Sequence, residues 1–198
     1  MSKEAKTTYA ISSEHSNRWS PRAFENKPIE KEKIQRLMEA ARWSPSASNE
    51  QPWHFIVGRD KDETYLKIME SLVEFNQMWA SNAPLLILNI GQSVNSKGDK
   101  NNVYRYDVGQ AVAHLTFQAI KDDLYIHQMT GFDPKKAEEL FEIPENYHAI
   151  SVMAIGYLGD PSMLHERMQK AEMAERVRKP LDEFVFEGKF GNKSIIID

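Results

Sequence analysis

Closely spaced arginines at two places in the chain could bind an anion. Arg18 and Arg22 flank Ser20 near the start, and Arg176 and Arg178 stand near the end. Guanidinium groups bind phosphate through paired N–H donors, and a serine hydroxyl adds another donor. Solvated basic segments beside helices would also explain these residues, because cations favour helix C-termini. The residues alone leave both interpretations open.

A second stretch, residues 41–53, holds two prolines and several short polar side chains. Pro45 and Pro52 bias the residues before them towards extended backbone, so the preceding helix must end at about Trp43. The polar residues can hold a turn or offer donors and acceptors to a ligand; they are Ser46, Ser48, Asn49 and Gln51. An ordinary helix-to-strand loop and a ligand-binding loop both fit.

A third candidate is the sequence Thr130-Gly131-Phe132-Asp133-Pro134. Asp133 can cap a helix that has Pro134 at its first position. Capping leaves Gly131 unexplained, since a glycine here permits close approach of the backbone to another group.

Composition excludes several classes of protein. The 198 residues are 41% hydrophobic and 27% charged, which is typical of one folded, globular domain. A net charge of -4 gives no reason to expect a nucleic-acid partner, and the absence of cysteine excludes disulfides and thiolate catalysis. No apolar stretch reaches membrane-spanning length and no secretory signal is evident, so we expect a cytoplasmic protein without a membrane partner.

Motifs of other enzyme classes are missing. The chain has no G-x-G-x-x-G, no phosphate-binding G-x-x-x-x-G-K-[ST], no G-x-S-x-G and no H-E-x-x-H. The histidines have no spacing typical of metal ligands, so we expect no metal site and no nucleophilic triad.

Apolar periodicity predicts an alternation of helices and strands. The predicted helices are 31–43, 60–79, 106–120, 134–141 and 164–176, and the predicted strands are 53–57, 85–90, 125–129 and 148–158. The last residues, 194–198, include three isoleucines, which would form an aggregation-prone strand edge if exposed. This pattern predicts a strand that is covered by another subunit.

Six segments resemble motifs of the FMN-dependent nitroreductase family. The first two are residues 18–24, similar to RRSxRxF with Trp19 replacing the second basic residue, and residues 45–53, similar to PSxxNxQPW. The others are DxGxAxxxL at 107–115, xGFD at 130–133, G[YF]xxxP at 156–161 and [KR]xRxP at 176–180. They occur in the family's order along nearly the whole chain. Where many relatives have a glycine after the 106–120 helix, this chain has Asp122 and Asp123, and aspartate tolerates the left-handed conformation.

The resemblance implies an α+β fold, with a central, mostly antiparallel sheet wrapped by helices. It also implies a single domain, 1–198, built as an intertwined homodimer with a C-terminal arm, about 184–198, that reaches the partner subunit. The 106–120 helix would belong to the dimer interface, although its residues fit a simple core helix equally well.

By the same resemblance, FMN would lie at the subunit interface. Arg18 and Ser20, with Arg176 and Arg178, would hold its phosphate and ribityl chain, and Trp19 would stand beside them. Arg22 would reach the N1/O2 side of the flavin, Asn76 its pyrimidine edge, and Thr130 with Gly131 its N5. The partner subunit would contribute Pro45, Ser46, Ala47 and Asn49.

The implied activity is a ping-pong oxidoreduction in which NADH or NADPH gives a hydride to FMN and a nitroaromatic, quinone or similar small molecule then takes the electrons. No side chain would act as a nucleophile; Arg22 and Gly131 would tune the flavin. A related flavoenzyme of different chemistry, such as dehalogenation or dehydrogenation, and a non-catalytic flavin-binding module remain as alternatives.

Overall fold

The centre of the protein is a four-stranded antiparallel sheet. A computed structural model describes residues 3–197. The strands are β1 (Trp53–Arg59), β2 (Leu85–Gln92), β3 (Tyr125–Met129) and β4 (Tyr147–Gly156), in the order β1-β2-β4-β3. All neighbouring pairs run antiparallel, which confirms the expected α+β class and the antiparallel sheet.

Seven helices surround the sheet among the described residues. They are α1 (Ser13–Asn17), α2 (Lys31–Arg42), α3 (Glu63–Ser71), α4 (Glu74–Ala80), α5 (Tyr104–Lys121), α6 (Pro134–Leu140) and α7 (Glu166–Met173). The predicted cap of α6 is confirmed, because the Asp133 carboxylate accepts from the amides of Lys135 and Lys136. After α5, Asp123 adopts a left-handed φ of 60°, a conformation that aspartate tolerates better than most residues.

Both faces of the sheet are covered, which explains the unbroken apolar run of β2. Leu86 and Leu88 face a core completed by α3, α4, α6 and the segment around Phe24. Leu85 and Ile87 face the opposite core, built with α2 and α5. Since successive side chains of a strand alternate between faces, a strand buried on both sides is apolar throughout.

The single helix predicted for 60–79 is wrong. The structure has two helices, α3 and α4, separated at Leu72 and Val73, where Leu72 is extended with ψ 148°. Leu72 forms an antiparallel bridge with Phe132, and the Val73 amide donates to the Gly131 carbonyl at 3.1 Å. Pairing with the loop after β3 therefore replaces the helical hydrogen bonds at the break.

The strand predicted at the C-terminus is also wrong for residues 194–197. Ile195–Ile197 forms a short 3-10 turn, with Ile195 and Ile196 75% and 77% exposed. The chain before it folds back on itself through a bridge between Phe186 and Lys193, so it is not an extended arm. Asp198 lies outside the described residues, and contact of the arm with a partner subunit stays a prediction.

Candidate functional site

The two arginine pairs come from opposite ends of the chain, and most of their members meet at one cavity. A cavity of about 280 Å³, which we call the arginine cavity, is lined by Arg18, Trp19 and Ser20 from the first segment and by Arg176 and Arg178 from the second. The structure thus brings together the four residues predicted to hold a phosphate. Arg22 lies outside this lining.

The positive charge in the arginine cavity is not neutralised within the described part of the chain. Among residues 3–197, no carboxylate forms an ion pair with Arg18, Arg176 or Arg178. Glu175, the acidic residue of the lining, is paired with Lys6 instead. Burial, and then the charges of Arg176 and Arg178, lower the pKa of Arg18. An anion would relieve this repulsion.

Arg176 also has a structural task that the sequence did not indicate. Its guanidinium donates to the carbonyl oxygens of Lys3 and Ser16 at 2.6 Å and of Arg18 at 2.7 Å. Three of its five N–H donors are therefore used to fix the N-terminal segment, and two remain for a ligand. Arg178 is exposed and donates to the Val177 carbonyl in the adjoining peptide, so its guanidinium is available to an anion.

Arg22 is positioned through its backbone by a buried glutamate. Glu172 in α7 is 2% exposed, and its Oε1 accepts from the amides of Arg22 at 2.8 Å and Ala23 at 3.1 Å. The guanidinium of Arg22 lies 5.9 Å from the ring centroid of Trp79. Its buried Nε has no hydrogen-bond partner within the described chain. Because buried donors normally have an acceptor, this unpaired donor is consistent with a bound ligand as its partner.

Gly131 is held against Asn76. The Asn76 Nδ2 donates to the Gly131 carbonyl at 2.9 Å, and a Cβ at position 131 would lie 2.6 Å from that nitrogen. No acceptor within residues 3–197 takes the Gly131 amide. Thr130, the preceding residue, is exposed directly after β3. The close approach expected at Gly131 is therefore made by Asn76, and the amide of Gly131 remains available to a ligand.

Trp79 and His127, two aromatic residues that no sequence motif indicated, connect the segments of Arg22 and Gly131. Trp79 donates from Nε1 to the Asn76 Oδ1 at 3.3 Å, and its ring packs on His127 with centroids 4.5 Å apart. His127 Nδ1 donates to the carbonyl of Pro21 at 2.9 Å, since a carbonyl oxygen can only accept. Burial, and to a smaller extent the charge of Arg22, lowers the pKa of His127 to about 4. The neutral imidazole thus links the segments of Arg22 and Gly131.

The loop from Pro45 to Asn49 does not reach this site within one chain. The loop precedes Trp53, the first residue of β1. Trp53 pairs with Gly91 of β2, and Gly91 pairs in turn with His148 at the start of β4. Phe24, close to Arg22, instead bridges Leu158 beyond the end of β4. From His148 to Gly156, where β4 ends, the strand advances by eight residues, or about 26 Å at the usual rise per residue. The loop and Arg22 therefore lie at opposite ends of the sheet.

The same loop has an unusual backbone. Ser48, Asn49 and Gln51 have left-handed φ values of 52°, 57° and 50°. The conformation is fixed by the Ser46 hydroxyl, which accepts from the Gln51 amide at 3.0 Å, and by Asp107, whose carboxylate accepts from the Ala47 amide at 3.2 Å. Left-handed non-glycine residues cost free energy and cluster at functional sites.

Within residues 3–197, the structure offers neither a cluster of metal ligands nor a membrane-spanning helix. No group of three or more His, Cys, Asp or Glu side chains in that range is arranged to hold a metal ion. No helix in that range combines the length and the apolar composition that crossing a bilayer requires.

Comparison with known proteins assigns the family. The model of the Nitroreductase family matches residues 16–86. A protein of Archaeoglobus fulgidus named "Putative NADH dehydrogenase/NAD(P)H nitroreductase" is 33% identical over 158 residues, which cover 75% of this chain and 86% of that protein. An uncharacterised 15.4 kDa protein of Mycolicibacterium smegmatis is 31% identical over 149 residues, which cover 70% of this chain and 97% of that protein.

Solved structures are similar over most of the chain. A crystal structure described as an oxidoreductase containing FMN has a TM-score of 0.89 and 33% identity, and the match covers 98% of this chain and 99% of that one. A nitroreductase family protein of Clostridium difficile 630 has a TM-score of 0.69 and 25% identity, with 87% and 95% covered. The sequence and the fold agree, and the chain belongs to the nitroreductase family.

Proposed function

We propose that this protein is an FMN-dependent oxidoreductase that uses NADH or NADPH to reduce nitroaromatics, quinones or similar small acceptors. The observation that carries the proposal is the arginine cavity, where Arg18, Arg176 and Arg178 line the same space as Ser20 and have no carboxylate partner among the described residues. Membership of the nitroreductase family and similarity to an oxidoreductase containing FMN support flavin as the ligand.

The arginine cavity would hold the phosphate of FMN. Arg18 and Arg178 would donate charged hydrogen bonds, Ser20 would add its hydroxyl, and Arg176 would use its two remaining donors. The indole of Trp19 lines the same cavity, and its buried Nε1 has no partner among the described residues, so it can donate to the ligand as well.

The other end of the site would position the flavin ring. Arg22 would hold its guanidinium beside the N1/O2 edge and stabilise the negative charge that develops there on reduction. Gly131 would offer its free amide near N5, because its carbonyl is already taken by Asn76 and Val73. Asn76 would contact the pyrimidine edge with an amide group that is already hydrogen-bonded to the Gly131 carbonyl and the Trp79 indole.

A second copy of the chain would complete the site. About 26 Å of strand separates the end of the sheet that carries Pro45, Ser46, Ala47 and Asn49 from the Arg22 end, so these residues would contact the flavin bound mainly by the other subunit. Apolar side chains near this loop are exposed, with Trp43 at 73% and Tyr106 of α5 at 70%, as expected for surfaces that meet in a homodimer. Each subunit would be one domain, and the folded-back C-terminal segment, about 184–198, would reach the partner subunit.

When bound, FMN supplies the redox chemistry, accepting a hydride from NADH or NADPH and passing electrons to the acceptor. The chain's own residues therefore bind, orient and tune, and none is required as a nucleophile.

The decisive test begins with the colour of the purified protein. We expect it to be yellow, to release FMN on denaturation, and to oxidise NADH or NADPH when a quinone or nitroaromatic is added. A protein that takes up no FMN would overturn the proposal. Bound FMN with no oxidation of either nucleotide would identify a flavin-binding module without this activity.

A further inference from the structure

The segment from Lys3 to Lys6, which we call the N-terminal strap, lies against the arginine cavity. The Arg176 guanidinium binds the Lys3 carbonyl, and the Ala5 amide donates to the Ser16 carbonyl at 2.8 Å. Lys6 is paired with Glu175 of the C-terminal segment. These contacts join the strap to both segments that form the cavity.

Two contacts hold the Lys3 side chain next to Trp19, which also lines the cavity. Lys3 lines the arginine cavity together with Arg18, Ser20 and Arg178. Its Nζ donates to the backbone carbonyl of Glu172 at 2.5 Å and lies 4.6 Å from the ring centroid of Trp19. An ammonium group has three donors, so two remain after this hydrogen bond.

Within residues 3–197, the charge of Lys3 has no acidic partner. Within the described part of the chain, no carboxylate forms an ion pair with Lys3, whereas Lys6, three residues later, is paired with Glu175. The half-buried ammonium is oriented by the Glu172 carbonyl and the face of Trp19. Lys3 therefore adds a further positive charge to a cavity lining in which Arg18, Arg176 and Arg178 also lack carboxylate partners among the described residues.

The position of Lys3 also accounts for Trp19. Trp19 stands between Arg18 and Ser20 and brings no charge of its own to the cavity. Its ring instead supports the ammonium of Lys3, which comes from a distant part of the sequence.

We propose that Lys3 is a further phosphate ligand of this site, contributed by the N-terminal strap and placed by the ring of Trp19. The inference rests on the proposed function and identifies the recognised group as a phosphate monoester, carried by FMN.

The test compares FMN with riboflavin, which lacks the phosphate, in titrations of the full-length apoprotein followed by flavin fluorescence. Lys3→Gln removes the charge and keeps a donor for the Glu172 carbonyl. We expect this variant to bind FMN about 10- to 100-fold more weakly, as for loss of one charged hydrogen bond. Riboflavin affinity should remain that of the wild type, and Lys3→Arg should restore FMN binding.

Glu4→Ala is the matched control, because Glu4 belongs to the same strap, accepts from the Ser16 hydroxyl and lies outside the lining of the arginine cavity. Its FMN affinity should equal that of the wild type. Equal losses in the two variants, or a Lys3→Gln loss that is the same for riboflavin, would show that Lys3 only secures the strap and would overturn the inference.

A further measurement separates the inference from the proposed function and from faulty folding. Inorganic phosphate should compete with FMN in the wild type, and about tenfold more weakly in Lys3→Gln. Competition unchanged by Lys3→Gln but weakened by Arg178→Ala would refute the role of Lys3 alone. Failure of the wild type to bind FMN would instead refute the proposed function.

Discussion

Glu172 accepts a hydrogen bond from the backbone amide of Arg22 at 2.8 Å, across 150 positions of sequence. The same carboxylate oxygen accepts from Ala23, and the whole side chain is buried. Four residues later, Arg176 binds three carbonyls of the N-terminal segment. The C-terminal helix α7 and the residues after it therefore hold both the backbone of Arg22 and the rim of the arginine cavity.

Replacing Glu172 should disturb the flavin as well as the fold. Glu172→Met leaves the Arg22 and Ala23 amides without an acceptor, which should cost about 1–3 kcal/mol in urea unfolding. The flavin midpoint potential should also change, because Arg22 is no longer fixed. Glu172→Gln keeps the accepting oxygen and should preserve both properties.

The control is Glu138→Met. Glu138 of α6 accepts from the Ala149 amide of β4 at 3.0 Å, so its carboxylate, like that of Glu172, joins a helix to the backbone of another segment. Comparable destabilisation with an unchanged potential is expected there. A potential that is also unchanged in Glu172→Met would show that Glu172 merely stabilises the fold.

Arg22→Ala should lower the midpoint potential of the flavin. Losing one charged hydrogen bond to the reduced form corresponds to about 30–60 mV for a two-electron couple. Reduction by NADH or NADPH in stopped flow should slow more than binding of oxidised FMN weakens. Arg22→Lys, which keeps the charge, should show a smaller change. Lost binding at a normal potential would make Arg22 an anchor only.

His127 should make stability depend on pH in mildly acidic solution. Its pKa is about 4 in the folded protein, against 6.5 for an unperturbed histidine, so the unfolded chain binds more protons between these values. Stability should therefore be fully present above pH 6.5 and fall as the pH decreases towards 4.

In urea unfolding, His127→Phe keeps a ring against Trp79 and removes the titration. Between pH 7 and pH 4.5 the wild type should lose about 2 kcal/mol more than the variant. Equal losses would show that His127 does not titrate in this way.

Local patterns predict the sheet and most helices, because each of these segments carries its own period. β3, predicted at 125–129, is observed at Tyr125–Met129, and α2 differs from its predicted range by one residue at its end. The break between α3 and α4 has no local signal, since Leu72 and Val73 continue the helical period. It arises from pairing with Phe132, a residue distant in sequence.

The residues of the candidate site also fall into those that the sequence indicates and those that only the folded structure reveals. Arg18, Ser20, Arg176 and Arg178 stand out because basic residues cluster in an acidic chain, and the structure places them together. Glu172 lies in a segment of mixed charge, a pattern typical of a solvent-exposed helix. Only the folded structure shows that it is buried and hydrogen-bonded to the Arg22 amide. His127 likewise shows no ligand spacing, and its importance depends on contacts with Trp79 and Pro21.

Subunits that are defective in different parts of the site should complement one another if the loop around Asn49 serves the flavin of the other subunit. Arg178→Ala and Asn49→Ala should each impair both sites of a symmetric homodimer. A mixed dimer, isolated through two different affinity tags, places both substitutions in one site and leaves the other intact. Its activity should recover to about half that of the wild type, as two-fold symmetry requires.

Co-expression of two differently tagged Arg178→Ala copies provides the control and should give no recovery. Mixed dimers no more active than their parents would place the Asn49 loop in its own subunit's site. A monomeric mass of the active wild type in light scattering would refute the shared site altogether. The separation of Trp53 from Phe24 along the sheet favours recovery, because one chain cannot bring its own loop to its own Arg22 without unpairing β1 or β4.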